Sequence, residues 1–298
     1  CHRRYAIPGF YQEATEKFKG DAYLDDDNNL KDYTAGVPFP PESIDPKADD
    51  AAQRWAWNLA KRYRGAGFAG KFRITDYPTS IGKVQVYEGD QFFLQASGRT
   101  DLPEDDYEIP NGKKRLFAAG GEFTKPFNAR FLAWRQFRSK KAEQSYTEPD
   151  NTFVYVPTMR KVRRAASTWV DGLFFPSYAY SGDSGGGGMT FGDPTGGGSA
   201  GINPTSGQSS AATTHVKRGQ AGLVIRPNAY VWRYLGEKDV LAPLNVKQEG
   251  YPKNPARNYG VSGLSLASDT WDIRRAVVIE GALKERNEST RTVTIYID

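Results

Sequence analysis

The chain has 298 residues, 40 Lys and Arg against 35 Asp and Glu, a formal net charge of +5, and 38% hydrophobic residues. That length suits one large domain or two smaller ones, and the single cysteine, Cys1, excludes an intramolecular disulfide and a cysteine-rich zinc site. The basic excess is mild and spread along the chain, which argues against nucleic acid, and no apolar run approaches the roughly 18 residues that span a bilayer.

A first-position cysteine is what cleavage of a bacterial lipoprotein signal leaves, whereas the strand-like Thr292 to Ile297 stops at Asp298 without a turn. The second feature carries the expectation that the natural protein extends beyond both ends of this sequence. Residues 1–45 read as an irregular N-terminal arm, acidic and turn-rich, with Asp25, Asp26, Asp27, Asn28 and Asn29 in a row. The glycine and closing glutamate of an EF-hand loop are absent at their spacing, so this run reads as a solvated loop. Asp45 followed by Pro46 is a helix start, a capping carboxylate with proline at the first helical position. The helix is expected to run to about Arg64, with Ala48, Ala52, Trp55, Leu59 and Tyr63 on one buried stripe and Gly65 as its stop.

After the helix the period becomes two. Val84 and Val86, Phe131 with Leu132 and Trp134, and Phe153 to Val156 read as strands, and so do Tyr230, Trp232 and Tyr234 against Val231 and Leu235. Ala276 to Glu280 and Val293, Ile295 and Ile297 complete the set. The fold class expected is mainly β, of the α+β type, a curved antiparallel sheet or incomplete β-barrel over residues 46–298 with one or a few helices packed on it. The glycine-rich stretch 181–210 lacks apolar periodicity and reads as a long mobile loop.

Gly182-Asp183-Ser184-Gly185-Gly186 matches the serine context of trypsin-like proteases, but the only histidine upstream is His2 and a glycine run follows where a nucleophile elbow needs a helix. Replacing Ser184 with Ala is expected to leave any measured activity unchanged, and labelling of Ser184 by a serine-directed fluorophosphonate would overturn that. With only His2 and His215, no histidine-rich metal site is expected. Asp269 and Asp272 flank Trp271 and are expected to pair with Arg274 and Arg275 rather than act as an acid and base. Arg160, Lys161, Arg163 and Arg164 form the densest basic run. It has two readings, salt bridges to acidic neighbours or an anionic-headgroup site of Arg160, Arg163 and Arg164.

The stretch FVYVPTMRKVRRAASTWVDGLFFPSY at Phe153 to Tyr178 resembles the hallmark of the domain-of-unknown-function 1329 family, and YVWRYLGEKDVLAPLN at Tyr230 to Asn245 its second signature. GVPFPPESIDP at Gly36 to Pro46 and WDIRRAVVIEG at Trp271 to Gly281 add to the resemblance, which runs from about Gly36 onward. That family is similar to the periplasmic lipoprotein carrier and its outer-membrane acceptor, incomplete antiparallel β-barrels closed by helices over an apolar cavity. The resemblance implies a location in the periplasm or on the periplasmic face of the outer membrane, a lipid or other hydrophobic small molecule as partner, no cofactor and no catalytic residue. The ligand would lie against Trp134, Tyr155, Trp169, Trp232 and Trp271, rings placed where a two-layer core more usually has Val, Ile or Leu. The competing expectation is a structural or interaction subunit of an envelope complex, joined through the same aromatic faces to a transporter or outer-membrane partner.

Overall fold

Alternation of side chains along extended backbone generates nearly all of the regular structure. The computed structural model describes residues 7–76, 85–103, 107–164, 173, 177–179, 188–190, 201–202, 209–210, 224–243, 271–284 and 292–298. In chain order these form α1 (Gly9–Lys17), β1 (Tyr23–Leu24), β2 (Leu30–Lys31), α2 (Ala51–Lys61), β3 (Gly67–Asp76), β4 (Gln85–Gln95), β5 (Arg115–Lys125), β6 (Ala133–Ser139), β7 (Asn151–Val156) and β8 (Lys161–Arg164). There follow β9 (Ser177–Ala179), β10 (Gly188–Thr190), β11 (Gly201–Ile202), β12 (Ser209–Ser210), β13 (Tyr230–Pro243), β14 (Trp271–Leu283) and β15 (Thr292–Ile297). Strands β3 to β8 make a six-stranded antiparallel meander in sequence order, and β13, β14 and β15 make a second antiparallel sheet. Neither sheet closes into a barrel.

The N-terminal arm is more regular than its composition predicts. Helix α1 forms because Tyr11, Ala14 and Phe18 recur at helical spacing: Tyr11 and Ala14 are buried, and Phe18 meets Tyr107 edge-on at 5.8 Å. The acidic run after it turns the β1–β2 hairpin. The Asp25 carboxylate accepts the backbone N–H groups of Asp27 and Asn29 at 3.1 and 2.8 Å and pairs with Lys31.

Helix α2 begins at Ala51, six residues after the expected cap, because Asp45 accepts from Lys47 N–H and closes a separate turn. Its buried residues are Ala51, Ala52, Gln53, Ala56 and Trp57, a stripe rotated from the one expected through Trp55, Leu59 and Tyr63. Burial on two sides explains the rotation. Trp57 faces Leu30, Phe39 and Ile44 of the arm, while Ala52 and Ala56 face Tyr230 and Trp232 of the second sheet and Ile225 just before it.

In the six-stranded sheet one face carries Tyr87, Phe93, Phe117, Phe123, Trp134, Val154 and Val156, all buried. On the other face Phe92 and Phe137 lie under the guanidiniums of Arg135 and Arg115 at 5.0 and 4.1 Å, and Phe153 remains 37% exposed. The expected alternation of Phe153 and Tyr155 against Val154 and Val156 is therefore present. Phe131 and Leu132 instead belong to the β5–β6 tip, where Phe131 has φ +70°.

The second sheet follows the expected pattern, with Tyr230, Trp232 and Tyr234 inward and Val231 and Leu235 outward. A bulge at Leu235 shifts the register between Tyr234 and Gly236. The glycine-rich stretch supplies strands rather than only loop: β10, β11 and β12 pair in turn with one another, and β10 pairs with β9. The rest of that stretch, with Ser184, and His215 lie outside the described residues.

Candidate functional site

Residues 224–229, the segment entering the second sheet, join the two sheets. The Pro227 carbonyl accepts from Gln53 of α2 at 3.0 Å and from the Trp232 indole of β13 at 2.9 Å. One residue earlier, Arg226 reaches the first sheet, donating to Asp150 Oδ1 at 2.7 Å and to the Tyr146 carbonyl at 3.0 Å.

Asp150 is the centre of this joint. It precedes β7, is fully enclosed, and accepts a forked pair from Arg138 at 2.9 Å on each oxygen and a bond from Gln136 at 3.0 Å. Burial pushes its carboxyl up, but Arg138 and Arg226 outweigh that and hold it below the usual carboxylate range. The sequence signal for this hub is a polar pair on a core face. Strand β6 points Trp134, Gln136 and Arg138 the same way, and the last two need a buried partner.

Beside the hub lies a cavity of ≈50 Å³, lined in part by Tyr33, Lys61, Arg64, Arg138, Glu143 and Asn228. Lys61 pairs with Glu143 and lies over the Tyr33 ring at 4.4 Å. Burial, and then the Arg62 guanidinium, bring Arg64 down to about 10. This space is small beside the roughly 300–1,000 Å³ of usual small-molecule pockets.

Of the five rings expected to share one ligand surface, the four described do not converge, and none of these four lines this cavity. Trp134 is 2% exposed and packs on Phe72 and Phe123. Its ring lies against Gly121, its register partner, where an added Cβ would sit 2.6 Å from the indole. Trp232 repeats the arrangement in the second sheet over its partner Gly281, with 2.7 Å to such a Cβ. A glycine directly opposite supplies the floor each ring needs, so both are covered by protein. Tyr155 lies on the opposite face of its sheet from Trp134, Trp271 is half-buried at the start of β14, and Trp169 lies outside the described residues.

Arg160, Arg163 and Arg164 are exposed at the edge strand and the turn before it. Among the described residues their side-chain hydrogen bonds are from Arg164 to Asn151 Oδ1 at 2.8 Å and from Arg163 to Met159 sulfur at 3.9 Å, with no carboxylate partner. Arg274 and Arg275 do pair with acids, but not with Asp272. Arg275 forks onto Asp239, its register partner, and Arg274 reaches Asp298. Direct cross-strand neighbours are closer than residues along one strand, which explains the choice of Arg275. Asp269 lies outside the described residues.

The face of the second sheet that carries Trp232 outruns its cover. Because of the bulge at Leu235, Leu241 returns to the face of Trp232 and stands directly opposite Ile273. Helix α2 covers the Trp232 end of this face, with Val277 and Ile279 buried and Val293, Ile295 and Ile297 packed partly against them. Leu241 and Ile273 are left 65% and 61% exposed on the same face, separated from Val277 by the Asp239–Arg275 ion pair.

A family model described as protein of unknown function, DUF1329, matches residues 1–182. Among solved structures, a domain described as outer membrane lipoprotein-sorting protein from Vibrio parahaemolyticus is similar at 12% identity and a TM-score of 0.41, over 84% of this chain and 68% of that one. A DUF1329 family protein from Desulfovibrio piger is similar at 13% identity and a TM-score of 0.37, over 83% of this chain and 68% of that one. No curated protein matches the chain. The resemblance read at residues 153–178 falls inside the matched span, and that at 230–245 falls beyond it.

Proposed function

The chain belongs to the family of proteins of unknown function DUF1329, and from that premise we propose that it is a non-catalytic binding protein of the Gram-negative envelope that holds a lipid or other hydrophobic ligand. The observation that carries the reading is the Leu241–Ile273 pair, left exposed on the face of Trp232, Val277 and Ile279 beyond the Asp239–Arg275 ion pair. An acyl chain laid over this pair would remove both side chains from water, each worth about 1.5–3 kcal/mol if fully covered. The periplasmic location, or the periplasmic face of the outer membrane, is part of this proposal and rests on the family resemblance.

Ile273→Asp is expected to weaken binding of an environment-sensitive fatty-acid probe on the order of tenfold. Its urea midpoint should stay near that of the parent, because the Ile273 side chain is already mostly in water. Unchanged probe affinity in Ile273→Asp would overturn the reading. The exposure of the Leu241–Ile273 pair also suits an apolar partner protein, as in a structural or interaction subunit. Organic extraction of gently purified protein that yields no lipid, with no probe response in the parent, would leave that alternative in its place.

A further inference from the structure

At one end of the six-stranded sheet, two turns present apolar and basic side chains together. The β5–β6 tip is held by backbone bonds from Ala129 N–H to Pro126 O at 3.0 Å, Leu132 N–H to Ala129 O at 3.1 Å and Phe131 N–H to Phe123 O at 2.9 Å. Ala129 and Leu132 anchor it, each 1% exposed, while Phe127 is 91% and Phe131 52% exposed. A phenylalanine so fully in water on a hydrogen-bonded, anchored turn contributes nothing to the core and costs solubility. Lys125 and Arg130 flank the rings, with Arg130 over Phe131 at 4.6 Å and Lys125 paired with Glu88 at 2.8 Å.

The β7–β8 turn stands at the same end, since Ala133 pairs with Tyr155 and Tyr155 with Val162. Two strand spacings, roughly 10 Å, therefore separate the two turns. The second turn adds exposed Arg160, Lys161 and Arg163, and Val162 at 63% exposure. The carboxylates nearest in register are Glu88, which faces Lys125 and Arg73, and half-buried Glu122.

We propose that this end of the sheet docks on an anionic lipid surface, with Phe127 and Phe131 entering the boundary between headgroups and acyl chains and the surrounding arginines and lysines meeting headgroup phosphates. Aromatic rings backed by cations match that boundary, where apolar and anionic layers lie a few ångströms apart. The surface differs from the Leu241–Ile273 pair, so docking and ligand binding are separable.

The test is co-sedimentation of the full chain with phosphatidylcholine vesicles, with and without phosphatidylglycerol, at low and high salt. The parent is expected to sediment with the phosphatidylglycerol vesicles and to be released by salt. Phe127→Asp should lower that binding on the order of tenfold, and Arg160→Glu with Arg163→Glu should lower it and weaken its salt dependence. Both variants should keep the parent's circular dichroism spectrum and fatty-acid probe affinity. Binding that ignores phosphatidylglycerol, no vesicle binding, or a Phe127→Asp variant that binds like the parent would each overturn the proposal. Self-association abolished by Phe127→Asp without vesicle binding would do the same, and would assign the tip to a second copy of the chain.

Discussion

Asp150→Asn is expected to destabilise the fold by about 3–5 kcal/mol, because it leaves two enclosed guanidiniums facing a neutral amide. Arg138 and Arg226 are 3% and 2% exposed, and Arg226 belongs to the segment that carries the chain into the second sheet. The loss should therefore appear as one lowered urea midpoint common to both sheets, followed by near-ultraviolet circular dichroism. The pH dependence has a definite sign. With its folded-state pKa held below the ordinary value, the carboxylate contributes stability above its unfolded pKa of about 3.9 and loses it as pH falls through the folded value. Acid titration below about pH 4 should destabilise the parent more steeply than Asp150→Asn. Equal acid slopes would remove Asp150 from its place at the centre of the joint.

Trp232→Ala should cost a similar amount, about 3–5 kcal/mol, as removal of an enclosed ring leaves a cavity the sheet cannot close. The ring is 7% exposed, packs on Tyr230 at 5.2 Å between centroids, and donates to the Pro227 carbonyl. Reading the aromatic alternation as a ligand wall predicts the reverse ranking, with weakened ligand binding and little loss of melting temperature. The glycine floor decides between the two, since Gly281 beneath the ring leaves no apolar face for a ligand to cover. Gly281→Ala tests the same contact from the other side and should lower the melting temperature, because the new methyl meets a rigid ring rather than the end of a flexible side chain.

Much of the fold was legible in the chain. Strands such as Phe153 to Val156 and Tyr230 to Tyr234 announce their inward and outward faces because the side-chain period of a strand is two. The helix stripe was not legible at the right angle, because α2 is buried on two sides and its two apolar sets, Trp57 and Ala52 with Ala56, merge into one in a linear reading. The arm hid a helix because three residues, Tyr11, Ala14 and Phe18, carry its whole pattern. Of the site, the basic run from Arg160 to Arg164 was visible as charge density, but its neighbourhood with Phe127 and Phe131 was not, since that depends on the order of strands in the meander.

By itself, then, the sequence determined the local matters: which segments extend, which faces are apolar, where turns fall, and the family resemblance that its motifs carry. Tertiary structure alone decided what each face meets. Gly121 and Gly281 became floors for tryptophans only through register, and Asp150 gathered Arg138 and Arg226 across 12 and 76 residues of chain. A single bulge at Leu235 set Leu241 beside Ile273 on the face of Trp232, beyond the Asp239–Arg275 ion pair. Side-chain alternation is a property of the backbone and is written locally, whereas register, bulges and buried charge partners follow from the free energy of the whole packed chain.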